Sequence, residues 1–140
     1  MSMHIPSLYL APSDLHHRGV FSAESLAADN VIEICPVIIL SEKDRKLIHQ
    51  THLHDFYFTW GEEDRGAAIA LGYGSLYNHS YTPNARFLVD LEMATISIHS
   101  IQAIAAGEEI TINYNGDPTD QSPLWFAPEG GQKPENNGSD

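Results

Sequence analysis

Two short stretches hold most of the side chains that could do chemistry. One is Gly72-Tyr-Gly-Ser-Leu-Tyr-Asn-His-Ser-Tyr-Thr-Pro-Asn84, and the other is Gly107-Glu-Glu-Ile-Thr-Ile-Asn-Tyr114. The first sets Tyr77, Asn78, His79 and Ser80 between glycines and Pro83-Asn84. Glycine, proline and asparagine supply the backbone dihedrals that let a loop aim several polar groups at one spot. An asparagine amide both donates and accepts hydrogen bonds, so one side chain can orient a dipolar ligand. The second stretch is a glycine turn and a strand that ends on a tyrosine. With an ordinary pKa of about 10, a tyrosine hydroxyl is a poor base at neutral pH. Such a tyrosine either caps a core or, if it takes part in chemistry, positions and stabilises a reacting group before it serves as a base.

The elements that must position these residues follow from periodicity. Residues 4–10 predict a first strand, closed by a turn at Pro12, Ser13 and Asp14. Arg18-Gly19-Val20-Phe21 reads as a turn into a strand, and Ser22 to Asn30 as a loop or helical turn. Val31 to Leu40 is β-branched almost throughout, with Pro36 breaking it into two edges or a bulge. Ser41 starts a helix that carries Glu42 and Asp44 in its first turn. It is expected to end around Thr51 and to turn Leu47 and Ile48 to the core. Leu53 to Trp60 predicts an aromatic strand, with Phe56 and Phe58 on one face and Tyr57 on the other. Gly61 to Gly66 is a solvated turn. Arg86 to Asp90 and Ala94 to Ile98 predict a hairpin through Leu91-Glu-Met93, and Ile110 to Ile112 a last strand. About eight to ten short strands and one or two short helices give a mainly β class. There is no internal repeat.

A chain of 140 residues is one domain by size. That domain is expected over residues 1–126, followed by a disordered acidic tail over 127–140 that is rich in Gly, Pro and Asn. No run approaches the roughly 20 apolar residues of a membrane span. No basic-then-apolar signal pattern opens the chain, so a cytoplasmic location is the default expectation. The single cysteine, Cys35, excludes an intrachain disulfide and a thiolate zinc cluster, and its apolar surroundings predict burial. A formal net charge of −12 argues against direct contact with nucleic acid or an anionic membrane and favours a basic partner. His49, His52 and His54 lie close together, with His16-His17 upstream. Alternate histidines on a strand can share a metal, whereas a histidine-rich helix end needs none, and no metal site is assigned. A small histidine metalloprotein is the reading that a bound metal would favour.

Asn78-His-Ser-x-x-Pro-Asn84, followed by Gly107-Glu-Glu-Ile-Thr-Ile-x-Tyr114, resembles the paired C-terminal motifs of the SET domain. The likeness runs over roughly residues 15–126 and is greatest to minimal viral and bacterial SET proteins without accessory zinc modules. The resemblance implies a β-clip-like SET fold of small curved sheets with a threaded C-terminal segment. It implies a protein lysine methyltransferase that uses S-adenosyl-L-methionine and acts on a basic protein, histone-like or ribosomal. A nuclear location would follow if the target is chromatin, and a homodimer is compatible.

Tyr114 takes the place of the catalytic tyrosine. Arg18, Gly19, Val20, Tyr77, Asn78, His79 and Trp125 fall on the cofactor side. Phe56, Tyr57, Phe87 and Ile112 are wall material for the lysine channel. His17 stands where relatives carry the first glycine of Gly-x-Gly-Val-Phe. That departure keeps a second reading open, a SET-like binding module without activity. Relatives often carry tyrosines at places such as 56 and 87. Positions 56, 87 and 112 all lack such a hydroxyl here, which predicts room for di- or trimethylation.

Overall fold

In the computed structural model, which describes residues 7–124, the β-branched and aromatic runs become nine strands in two sheets. The smaller sheet has β1 (Leu8–Pro12), β2 (Arg18–Ser22), β9 (Glu109–Ile112) and β6 (Asn78–His79), adjacent in that order. The larger runs β4 (Phe58–Trp60), β5 (Gly66–Ala70), β3 (Val31–Leu40), β8 (Thr95–Ser100) and β7 (Ala85–Asp90). One α-helix, α1 (Glu42–Ile48), and three short 3-10 turns complete the described residues. The fold is mainly β, as expected. The first strand begins later than predicted and takes in Pro12; residues 4–6 of the expected strand lie outside the described residues.

Pro36 does not break its strand. Val31 to Pro36 pair with β8 and Val37 to Leu40 pair with β5, so β3 changes partner at the proline. Proline has no N–H to give to a ladder, and a partner change is a place where none is required. Its carbonyl accepts the Leu71 N–H at 2.9 Å. The irregularity sits instead between Val31 and Glu33.

The core fills with the inward-facing residues of both sheets: Val20, Cys35, Ile96, Ile98, Ile110 and Ile112 are fully buried. Cys35 is free, and burial pushes its thiol pKa well up, as expected of an inert core cysteine. Helix α1 departs from expectation. Ser41 does cap it, accepting the Asp44 N–H at 3.1 Å, but no helix residue is buried and Leu47 is 59% exposed. The helix ends at Ile48, too short for a full apolar stripe.

The aromatic strand is shorter than predicted. His52–Asp55 form a 3-10 turn capped by Thr51, and the strand starts only at Phe58. Thr51 explains the change, since its hydroxyl accepts the Leu53 N–H at 3.0 Å and turns the chain. Phe56 and Tyr57 therefore follow no strand alternation.

Candidate active site

Strand β9 carries the end of the second motif beside the first. It pairs with β6 in parallel, Asn78 opposite Thr111 and His79 opposite Ile112. Asn84 extends that contact. Its amide donates to the Glu109 carbonyl at 2.8 Å and accepts the Thr111 N–H at 2.9 Å. The Ser80 N–H donates to the Ile112 carbonyl at 2.9 Å, and the Ser80 hydroxyl accepts the Thr82 N–H at 3.0 Å. Asn84 and Ser80 thus hold the loop in shape, as their residue types predict. Beyond β9, Gln121 and Ser122 lie against Tyr81, which donates its hydroxyl to the Ser122 carbonyl at 3.0 Å and accepts the Gln121 amide on its own carbonyl at 3.1 Å.

Tyr114 is held at both ends by the first motif. Its N–H donates to His79 Nδ1 at 3.0 Å, and its hydroxyl donates to the Tyr77 carbonyl at 2.6 Å. An accepting Nδ1 places the His79 proton on Nε2. The His79 ring also packs against Tyr114 and edge-on against Tyr81, with centroids at 5.2 and 4.4 Å. Burial pushes the Tyr114 hydroxyl well above the ordinary tyrosine range; the Arg18 guanidinium opposes that shift, and the Asp55 and Glu109 carboxylates add to it. At neutral pH the hydroxyl is protonated, and its one hydrogen is committed to Tyr77.

A polar cluster stands at the start of β2. Val20 is flanked by Leu10 of β1 and Ile110 of β9, but the pairing with β9 reaches no further toward the N-terminus. There the Asn78 amide substitutes for a strand, donating to the Arg18 carbonyl at 2.7 Å. The same amide meets Glu109 Oε2 at 2.7 Å and Ser13 Oγ at 3.2 Å, and Ser13 donates to Glu109 Oε1 at 2.7 Å. Gly19 lies so close that a Cβ on it would overlap the Glu109 carboxylate. His17 does not take a positive φ. The Ser13 hydroxyl accepts from the N–H groups of Leu15 and His16 and turns the loop without a glycine at position 17.

On its other side, Tyr114 borders a cavity of about 590 Å³. Phe56, Tyr57, Phe58, Phe87 and Tyr77 line it, together with Asp55, Asp64 and backbone at Gly74 and Gly116. Phe58 and Phe87 come from β4 and β7, opposite edges of the larger sheet, yet their rings meet at 4.9 Å. The sheet is therefore curled until its edges face each other across the cavity. The Arg18 guanidinium lies 5.5 Å from the Phe56 ring centre, joining the polar cluster to the aromatic wall.

The structure thus brings together Tyr114, Arg18, Gly19, Tyr77, Asn78, His79, Phe56, Tyr57 and Phe87. Ile112 is not brought to the cavity, because it is fully buried in the core. Val20 is likewise a core side chain, so only its backbone borders the cluster. Trp125 lies outside the described residues. Sequence reasoning missed Glu109, Ser13, Asp55 and Glu33. Glu33 was the most detectable, as the one acid within the apolar run from Val31 to Leu40. Among the described residues, no group of three or more His, Cys, Asp or Glu is arranged to hold a metal. His49 instead meets the Tyr57 hydroxyl at 3.2 Å, and His52 packs on Phe56.

A model of the SET domain matches residues 17–115, from the residue before β2 to the one after Tyr114. The chain belongs to the SET-domain family. A relative of this SET domain in Schizosaccharomyces pombe is described as a histone-lysine N-methyltransferase, H3 lysine-37 specific. It is 36% identical over 113 residues, covering 80% of this chain and 71% of that protein. The crystal structure of a Plasmodium falciparum protein described as a histone methyltransferase aligns with a TM-score of 0.60 and 28% identity. That alignment covers 86% of this chain and 97% of the other. A Polycomb Repressive Complex 2 chain in an autoinhibited state shares the fold at a TM-score of 0.68 and 19% identity, over 79% of this chain and 16% of that one. Family and relative together make this chain a SET-domain protein-lysine methyltransferase.

Proposed function

We propose that the protein methylates a lysine of a basic, histone-like protein with S-adenosyl-L-methionine as donor, and that Tyr114 is the catalytic residue. The observation that carries the reading is the station of the Tyr114 hydroxyl. Tyr114 lines the aromatic cavity, and its hydroxyl lies within electrostatic reach of Arg18 and Glu109 in the polar cluster.

The polar cluster suits that cofactor. Glu109 offers a carboxylate for an ammonium, Arg18 a guanidinium for a carboxylate, and Gly19 lets backbone approach closely. Asn78 and His79 would shape this side, Asn78 through the Arg18 carbonyl and His79 by bracing Tyr114. When bound, the cofactor supplies an electrophilic methyl carbon on a positively charged sulfur.

The lysine side is built for a neutral amine. A free lysine has a pKa of about 10.4, so little of it carries a lone pair at pH 7. Phe56, Phe58 and Phe87 give an apolar wall that disfavours the ammonium form. Asp55 and the exposed Asp64 can draw the cation to the opening before it sheds its proton. Tyr114, protonated and donating to Tyr77, then accepts from the incoming amine and holds its lone pair in line. The S. pombe relative's name makes a histone lysine the first substrate class to try.

The test is methyl transfer from labelled cofactor into a mixture of basic proteins. Wild-type protein labels a histone-like band, and Tyr114→Phe lowers the rate by roughly a hundredfold or more. Equal labelling by the mutant removes Tyr114 from the chemistry. Calorimetric titration with the cofactor separates transfer from the inactive-module reading, which predicts no binding.

A further inference from the structure

We infer that Glu33 is a positioning residue for Tyr114, acting through Tyr77. The inference rests on the reading of Tyr114 given above and extends it to a residue outside the cavity.

Glu33 lies on β3 and is only 4% exposed. Its Oε1 accepts the Tyr77 hydroxyl at 2.7 Å, and its Oε2 accepts the Tyr73 N–H at 2.9 Å. Both donors are neutral. A buried carboxylate served by neutral donors is an expensive way to fill a core, which an apolar side chain does better. What the carboxylate obtains is a fixed loop. Gly72, at φ +68°, sits so close that a Cβ there would overlap Oε2, and a Cβ on Gly74 would lie 2.8 Å from Cys35 Sγ. The backbone of residues 72–74 is thus moulded directly onto β3.

Tyr77 is the far end of that moulded loop. Its ring is buried, at 1% exposure, and tethered by its hydroxyl to Glu33. Its own carbonyl accepts the Tyr114 hydroxyl at 2.6 Å. Two hydrogen bonds therefore connect a carboxylate on β3 with the hydroxyl of Tyr114, a residue of the cavity wall. With its single hydrogen given to Tyr77, the Tyr114 oxygen can only accept from a reacting group. A carbonyl that wandered would let the hydroxyl rotate and offer its hydrogen to the amine, which blocks the attacking lone pair. Glu33 sets the direction of that oxygen without touching substrate or cofactor.

The test uses the full chain, with Glu33→Gln, Tyr77→Phe and Tyr114→Phe alone and combined. Tyr77→Phe keeps the carbonyl and removes only the tether. It therefore decides the matter even if Glu33→Gln folds poorly. The Tyr77 hydroxyl meets Glu33 and not the polar cluster, so both variants are expected to bind S-adenosylhomocysteine as the wild type does, with substrate KM within about twofold and kcat lowered about tenfold. Combined with Tyr114→Phe, neither lowers kcat further, because all three act at one oxygen. A kcat unchanged in Tyr77→Phe overturns the inference while leaving Tyr114 in place. Losses that multiply with that of Tyr114→Phe also overturn it, since they report general damage to the fold. Full activity of Tyr114→Phe removes the reading of Tyr114, and the inference falls with it.

Discussion

At the scale of single residues, the candidate site is a matter of where hydroxyls are and where they are not. Phe56, Phe58 and Phe87 present bare rings to the cavity, while the Tyr57 hydroxyl is turned to His49. These three rings offer no hydroxyl to hold a water beside the amine, so methylated forms have room to react again. Mass spectrometry at exhaustive turnover is expected to find di- or trimethyl-lysine, and Phe87→Tyr to shift the product toward monomethyl. A wild-type product that stops at monomethyl sinks the argument.

The pH dependence is also set at this scale. The Tyr114 pKa is raised by burial, so the hydroxyl keeps its proton through pH 10. The rate should therefore climb with pH as the substrate lysine deprotonates, and a pH–rate profile should show no fall before about pH 10 from this tyrosine. Stability moves the other way. Cys35, Tyr57, Tyr77 and Tyr114 all have raised pKa values, so the folded state retains protons that the unfolded chain would release. Their contribution is complete below the ordinary values of 9.0 for the thiol and 10.0 for the phenols, and is lost as pH rises past them. Thermal unfolding followed from pH 8 upward should show Tm falling from about pH 9.

At the scale of elements, the turn from β5 into β6 decides the geometry. Its conformation depends on Gly72, which combines a left-handed φ with contact against Glu33. Gly72→Ala meets both obstacles and should cost about 1–3 kcal/mol of stability, read from denaturant unfolding. Gly107 also has positive φ, but nothing crowds it. Gly107→Ala should therefore cost about 1 kcal/mol, the backbone term alone. Equal losses at the two positions would show that contact with Glu33 contributes nothing. Pro36 makes the same point about elements. A residue that breaks most strands is accommodated because β3 changes neighbours there.

At the scale of the molecule, charge governs encounter. A net charge of −12 attracts a basic protein tail from a distance, and salt screens that attraction. With a basic substrate, kcat/KM should fall severalfold between about 0.05 M and about 0.5 M salt, while kcat at saturation changes little. A salt-independent kcat/KM would mean that the acidic surface plays no part in capture.

Much of this protein is legible in its sequence. β-branched and aromatic runs predict strands because strand formation is largely local, and the hairpin of β7 and β8 appears within a residue or two of expectation. Asn78-His79, Pro83-Asn84 and Tyr114 are visible because together, in order and spacing, they resemble the paired SET-domain motifs. Residues buried for other reasons look the same in a list. Ile112 reads as channel wall and is core, and Leu47 reads as core and is exposed.

What only the tertiary structure decided are the contacts between segments distant in the chain. Glu33 is 44 positions from Tyr77, Ser13 is 96 from Glu109, and Phe58 meets Phe87 across two sheet edges. Hydrophobic periodicity reports which face of an element is buried, but not which other element covers it. That choice is made by the curl of the larger sheet and by the parallel pairing of β6 with β9, and those two features assemble the cavity around Tyr114.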